Sequence, residues 1–337
     1  MSLRASIVDY CATIGKDPGL VQGAGGNVSF KEGNILWVKA SGTWLSDALA
    51  KDIFIPVELS HLQDAMAAGD FDVSPKLCEV SLFKPSIETL LHALMPHPVV
   101  VHLHAIEVLA HLVRQEYEAD LKSRLESTLD YVVVSYHKPG ASLAKAVSVA
   151  LDQMPDASII LLQNHGIVIG GADVAIVDRN LRTLIEVLKT SPREPITKTS
   201  PIFPLEANGG QQYFPISDHA VHQLALDKVL FERLQFDWAL YPDHVVFLGP
   251  YAHKYSSLGM ARVELSQSAT LPELIFVGGV GVFTLPEFNL GKLVQIRCYY
   301  DVLSRLPQDC EVVALNIEQI AELLNWDAEQ YRMGFAK

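Results

Sequence analysis

The chain has 337 residues, 49% of them hydrophobic and 19% charged, and a net charge of −13 at pH 7. That composition excludes a disordered or low-complexity protein. The negative charge disfavours nucleic-acid and anionic-membrane partners, because only local patches could offset the repulsion from phosphate.

The length exceeds what one compact core usually serves and predicts two domains. Met1-Ser2-Leu3-Arg4-Ala5-Ser6 has no signal-peptide pattern, and Cys11, Cys78, Cys298 and Cys310 show no CxxC pairing, so a reducing, cytoplasmic setting is expected. The most apolar window, 90–113, is broken by Pro96, Pro98 and several histidines, so no membrane span is expected.

Leu3, Ile7, Val8, Cys11 and Ile14 have helical spacing and Gly15 supplies a stop, predicting a first helix over 3–14. Gly23, Gly25 and Gly26 then precede a short alternating strand. Such a loop lets backbone N–H groups approach an anion, and Asn27 adds a side-chain donor; a plain glycine turn is the alternative. A strand over 35–40 ends in Ser41-Gly42-Thr43, a second small polar turn beside Lys39. Pro85 fixes the entry to a helix over 87–94, with Ser86 as its N-cap and Glu88 in its first turn, where the macrodipole favours a carboxylate.

His102 and His104 lie two apart in the apolar run 99–109, a spacing that puts both rings on one face of a strand. A lone buried histidine is more often a hydrogen-bonded core residue than a ligand. Two such rings, however, need separate partners at a cost of about 1–3 kcal/mol each if unmet, whereas one ion satisfies both. His165 follows the apolar run 159–162 and precedes Gly166, as at the end of a neighbouring strand. Three neutral imidazoles with the Glu88 carboxylate or a water describe an open, catalytic zinc-type site.

A helical period over 172–190 closes the first domain, 1–190. Pro192, Pro195, Pro201 and Pro204 mark a semi-rigid linker, 191–205. Residues 206–337 predict a small α/β domain of unknown role, with a helical stretch over 219–234, strands at 245–248 and 274–277, and helices over 290–306 and 317–324. Gly278-Gly279-Val280-Gly281 lacks the dinucleotide-binding spacing. His219, His222 and His244 have no convincing carboxylate partner and read as structural or surface residues.

Gly26-Asn27-Val28-Ser29, Ala40-Ser41-Gly42-Thr43, Ser86-Ile87-Glu88, His102-Leu103-His104 and Asn164-His165-Gly166, in that order, make the chain resemble the class II aldolase/adducin family over roughly residues 1–190. A weaker resemblance, resting on short motifs such as Tyr241-Pro242-Asp243-His244, is to the aldolase part of bifunctional rhamnulose-1-phosphate aldolase/alcohol dehydrogenase proteins, without the dehydrogenase domain. The family resemblance implies a three-layer α/β/α domain around a mostly antiparallel sheet. It implies one zinc per subunit on His102, His104 and His165, with manganese or cobalt as alternatives, and Glu88 as the catalytic acid/base. By the same match Gly26, Asn27, Ser41, Gly42 and Ser86 line a phosphate pocket, and the assembly is a homotetramer with sites at subunit interfaces.

The activity so implied is retro-aldol cleavage of a ketose or ketose 1-phosphate, through a zinc-held enediolate, to dihydroxyacetone phosphate and an aldehyde. Epimerisation, dehydration and 3-oxo-acid decarboxylation share that chemistry, and an adducin-like scaffold is the non-catalytic alternative. One position departs from the pattern: Ile87 stands where the aldolases carry a second hydroxyl, so Lys39 or backbone N–H groups would have to compensate, or the substrate is not a simple sugar phosphate. The family also takes a proton-donor tyrosine from a neighbouring subunit, for which Tyr117 and Tyr136 are candidates beside plain packing roles.

Overall fold

The computed structural model describes residues 2–126, 128–196, 201, 203–324, 326–327 and 331. The chain groups into two units, Met1–Lys189 with Asn325–Ala336, and Thr190–Leu324.

The first unit is built on seven strands: β1 (Asn27–Glu32), β2 (Ile35–Lys39), β3 (Phe54–Glu58), β4 (Val99–Leu103), β5 (Tyr131–Val134), β6 (Ile159–Leu162) and β7 (Gly166–Gly171). Their order is β3-β2-β1-β4-β7-β6-β5, and every neighbouring pair is antiparallel except β5 and β6. Among the described residues seven helices cover the sheet: α1 (Leu3–Ile14), α2 (Leu59–Ala67), α3 (Thr89–Leu94), α4 (Ile106–Leu112), α5 (Tyr117–Leu125), α6 (Ala141–Gln153) and α7 (Val174–Leu188).

Strand alternation sorts the side chains into two cores. On one face Val28, Phe30, Val101, Leu103, Ile167 and Ile169 pack with residues of α1, α4, α5 and α7. On the other, Leu36, Val38 and Val57 lie under α2, while Val100, Ile160 and Val168 lie under α3 and α6. The expected α/β/α layering is therefore present, around a sheet that is mixed by virtue of one parallel pair. The first helix has the bounds its periodicity predicts, with the Ser2 hydroxyl accepting from the Ala5 N–H.

The helix expected over 87–94 begins two residues later, at Thr89, because Ser86 to Thr89 forms a turn of its own. β7 has no counterpart in the sequence reading. Its apolar centre, Ile167-Val168-Ile169, is flanked by glycines that read as turn residues, yet it runs between β4 and β6.

The second unit has a five-stranded sheet formed by β8 (Leu205–Glu206), β9 (Gln212–Pro215), β10 (Lys254–Tyr255), β11 (Leu274–Val277) and β12 (Gly281–Thr284), in the order β10-β11-β12-β9-β8. Gly278, Gly279 and Val280 form the turn between β11 and β12. The helical stretch expected over 219–234 is broken into α8 (Gln223–Leu226) and α9 (Lys228–Arg233), because Asp227 stops the first and caps the second by accepting from the Val229 and Leu230 N–H groups.

The strand expected at 245–248 is instead part of a helix, α10 (Pro242–Leu248). Tyr241 is extended, Pro242 opens the helix and Gly249 at φ 87° ends it. Residues 242–247, Asp243 and His244 included, are all buried, so the polar residues mark no exposed face and 245–248 reads as a plain apolar run in place of a helical period. Three more helices follow: α11 (Leu258–Gln267), α12 (Leu290–Leu303), shorter than expected, and α13 (Ile317–Leu324).

Residues 191–196 are tied to the second unit. The Arg193 N–H donates to the Ser304 carbonyl at 2.6 Å, its guanidinium pairs with Asp227 at 2.6 Å, and the Ile196 N–H donates to Gln223 Oε1 at 2.8 Å. Residues 197–200 and 202 of the proline-rich segment lie outside the described residues. Among the described residues no helix is long and apolar enough to cross a membrane. All four cysteines are free thiols, with Cys11 and Cys298 buried.

Candidate metal centre

β4 is an interior strand, and its register places His102 opposite Asn27 of β1 and Val168 of β7. His102 thus shares the face of Val100, beneath α3 and α6. His104 stands one residue beyond the end of β4. His165 closes the turn Gln163-Asn164-His165 between β6 and β7, and because β7 pairs with β4 as far as Leu103 and Ile167, that turn is set beside the end of β4. Gly166 is required by this approach: a Cβ there would stand 2.3 Å from the Leu103 carbonyl oxygen and 3.1 Å from the His104 ring.

The three rings converge. Centroids of His102 and His104 are 4.9 Å apart, those of His102 and His165 4.9 Å, and those of His104 and His165 5.4 Å. The Nε2 atoms of His102 and His104 are 3.1 Å apart, and one nitrogen from each ring falls within 4.8 Å of the others.

The His102 Nδ1–H donates to the Ile167 carbonyl at 2.9 Å; since a carbonyl only accepts, this fixes the tautomer and leaves Nε2 as a lone pair facing the cluster. Burial pushes His102 down to about 3, so the ring is neutral at neutral pH. Glu88, 8% exposed, places Oε1 3.3 Å from His102 Nε2 and 3.2 Å from His165 Nε2. Burial alone would raise its carboxyl, but the surrounding His102, His165 and His104 rings hold it well below the usual carboxylate range. Its backbone is set by the preceding turn: the Ser86 hydroxyl accepts from the Glu88 N–H at 3.2 Å, and the Ser86 carbonyl accepts from the Thr89 N–H at 3.1 Å and from the Thr89 hydroxyl at 2.6 Å.

These residues fit a divalent ion. The donors are three imidazoles with an ionised carboxylate beside them, and the one tautomer that geometry fixes aims its lone pair inward. Zinc, manganese and cobalt all accept such nitrogen and oxygen donors.

Several of the expected anion-binding positions are linked through the backbone to the strand and the turn that carry His102 and Glu88. Gly26, at φ +67°, comes so close to β4 that a Cβ would lie 3.3 Å from the His102 carbonyl oxygen. Asn27 is 1% exposed, and neither atom of its amide has a hydrogen-bond partner among the described residues. The Lys39 ammonium donates to the Ala24 carbonyl at 3.2 Å and the Thr43 carbonyl at 2.7 Å, tying the glycine loop to the turn that holds Ser41 and Gly42. The Ser41 N–H donates to the Lys84 carbonyl at 2.9 Å, and Ala40 bridges to Pro85, which brings that turn against the one carrying Ser86.

Tyr117 is not brought to the centre: it packs in the core on the other face of the sheet, and its hydroxyl donates to Glu118 at 3.0 Å. The Tyr136 N–H donates to Gln163 Oε1 at 3.0 Å, next to the His165 turn. Two residues to which the sequence assigned no role, Ser29 of the Gly26-Asn27-Val28-Ser29 motif and His92, also belong to this face. Ser29 and His92, both fully buried, share a hydrogen bond of 2.8 Å between Oγ and Nδ1. Their spacing was a usable signal, since Ser29 follows Asn27 by one strand repeat and His92 follows Glu88 by one helical turn.

The chain is 24% identical over 230 residues to an uncharacterized oxidoreductase, YuxG, of Bacillus subtilis, a match covering 63% of this chain and 32% of that protein; the match thus spans about a third of the curated relative's length. Among solved structures it is similar to the N-terminal class II aldolase domain of a conserved protein from Thermoplasma acidophilum, with 26% identity over 54% of this chain and 90% of that one and a TM-score of 0.46. A sugar-phosphate aldolase from Thermotoga maritima matches 55% of this chain and 93% of its own at 15% identity, with a TM-score of 0.43. The sequence profile of the class II aldolase and adducin N-terminal domain matches residues 5–191, more than half of the 337 residues. The chain belongs to the class II aldolase and adducin family.

Proposed function

We propose that this protein is a metal-dependent lyase that cleaves a ketose, most simply a ketose 1-phosphate, by a retro-aldol reaction to dihydroxyacetone phosphate and an aldehyde. The observation that carries this reading is the place of Glu88: an ionised carboxylate, buried, within 3.3 Å of two of three converging imidazoles. A scaffold gains nothing from such a cluster, since unmet buried polar groups cost stability.

His102, His104 and His165 would hold a zinc, manganese or cobalt ion, which when bound supplies Lewis-acid polarisation of a substrate carbonyl. The remaining work falls to side chains and backbone. Glu88, ionised at rest, takes up the proton that the substrate hydroxyl releases as the carbon–carbon bond breaks and delivers it to the carbon that keeps the bond's electron pair, and removes it in the synthetic direction. Asn27 offers its unpaired amide to the substrate. The glycine loop at Gly26, the Ser41-Gly42 turn and Ser86 hold a distal phosphate, and Lys39 keeps the first two in register, which fixes the reacting carbons relative to Glu88. The near-complete burial of the histidines and Glu88 excludes water, strengthening each of these electrostatic contacts.

The test is a panel of ketose 1-phosphates offered to metal-loaded protein, with aldehyde release followed beside Glu88→Gln. Release by the wild type, lost in Glu88→Gln while bound metal is unchanged, is the expected result. A metal-loaded wild type that releases no aldehyde from any member of the panel contradicts the reading. Epimerisation, dehydration and 3-oxo-acid decarboxylation use the same residues and are recognised in the same assay by their products.

A further inference from the structure

We propose that Ser29 and His92 are positioning residues for Glu88, fixing where its carboxylate stands over the three histidines; this deepens the function proposed above and rests on it for its catalytic consequence. Glu88 is the N-cap residue that immediately precedes α3, and α3 has only six residues, too few to hold a helix by its own hydrogen bonds. What holds it is packing: Leu90 and Ala93 sit in one apolar cluster and Leu91 in another. Apolar contacts resist withdrawal of the helix but set its rotation weakly, because dispersion has little directionality.

The directional tie is His92. Its N–H donates to the Glu88 carbonyl at 3.2 Å, so the two residues are one turn apart and their side chains leave the helix on the same side. The His92 ring is 0% exposed and meets the Ser29 hydroxyl at 2.8 Å. Ser29 is itself fixed, being in the middle of β1, opposite Val38 of β2 and Val100 of β4, and two residues from Asn27, which is opposite His102. The hydrogen bond therefore refers the start of α3 to the same stretch of sheet that carries His102. A rotation or slide of α3 that stretched this bond would carry the Glu88 carboxylate away from His102 and His165, and displacements of that kind are costly in catalysis.

A purely structural role would make the same bond, so the test separates stability from position. Replacing both partners by apolar groups removes the bond without stranding either one, and Ser29→Ala/His92→Leu should keep a melting temperature close to that of the wild type. His92→Asn keeps an amide near the place of Nδ1 and is the rescue. Each variant, with wild type and Glu88→Gln, is loaded with cobalt(II), whose visible absorption reports the groups around the ion. Each is then assayed for exchange of a carbon-bound proton of dihydroxyacetone phosphate in heavy water.

The double variant is expected to take up one cobalt per chain, to shift its spectrum toward that of Glu88→Gln, and to lose about 100-fold in exchange rate, while His92→Asn regains most of both. A double variant with the wild-type spectrum and the wild-type exchange rate overturns the inference. If the wild type itself exchanges no proton while the double variant still shifts the spectrum, the positioning role stands and the aldol reading falls.

Discussion

In the first unit, His102, His104 and His165 are buried with ring nitrogens turned toward one another and, for His102 and His165, toward Glu88. In the second unit His244 is buried just as deeply, but it meets the ring edges of Trp238, Tyr299 and Tyr241, at centroid distances of 4.3, 4.5 and 5.6 Å. Neither of its nitrogens has a hydrogen-bond partner among the described residues. Near it, the Gln295 amide donates to Asp243 at 3.3 Å and the Tyr241 hydroxyl donates to Cys298 at 3.3 Å, two polar pairs that do not engage the His244 nitrogens. Burial depresses both His102 and His244 to about 3. What separates a candidate ligand from a core histidine is thus neither burial nor its electrostatic consequence. It is the direction in which the nitrogens point and the charge of the group they meet.

Substitutions can break this contrast. Glu88→Gln should have the largest effect, a rate loss of about 10²–10⁴-fold with metal content unchanged, seen in turnover measured beside elemental analysis. If metal and rate fall together, Glu88 is a ligand and not a proton carrier. His165→Ala removes one of three donors and should weaken metal binding by more than the roughly 10–100-fold that the loss of an outer-shell partner costs, as read by competition with a coloured chelator. His244→Phe should leave that affinity at its wild-type value.

The second unit should reveal its histidine through pH. An unfolded histidine titrates near 6.5 and folded His244 at about 3, so between these values the unfolded chain binds the extra proton. The stability due to a neutral His244 is complete above about pH 6.5 and drains away as the pH falls toward 3, by roughly 3 kcal/mol at pH 4. His244→Phe should flatten that acid limb in denaturant titrations; an unchanged slope would mean that the ring escapes burial before it titrates. Asn27→Leu should give the smallest change in stability, within about 1 kcal/mol of the wild type, because the amide it removes has no partner to strand, while the substrate KM rises.

Much of the first unit was legible because its chemistry is local in sequence. The two-residue spacing of His102 and His104 brings their rings together at the end of β4, although His104 lies one residue beyond the strand, and the glycines before Asn27 and after His165 mark places where backbone approaches backbone. Less visible was what depends on distant partners. β7 is hidden behind its own glycines, although it carries His165 to the end of β4, and the Ser29–His92 bond joins residues 63 apart. In the second unit the strand expected at 245–248 proved to be helical, and the helix was not legible because burial of 242–247 left no exposed polar face to show a helical period. Strands of two residues, as in β8 and β10, carry too little pattern to be read at all.

Whether the three histidines of the first unit hold one catalytic ion is decided by elemental analysis of the purified wild type beside His102→Ala, after loading with zinc and removal of excess. One zinc per chain is expected in the wild type and a small fraction of that in the variant, with both proteins folded. A wild type that takes up no zinc, manganese or cobalt, or a His102→Ala protein that retains a full equivalent, would contradict it.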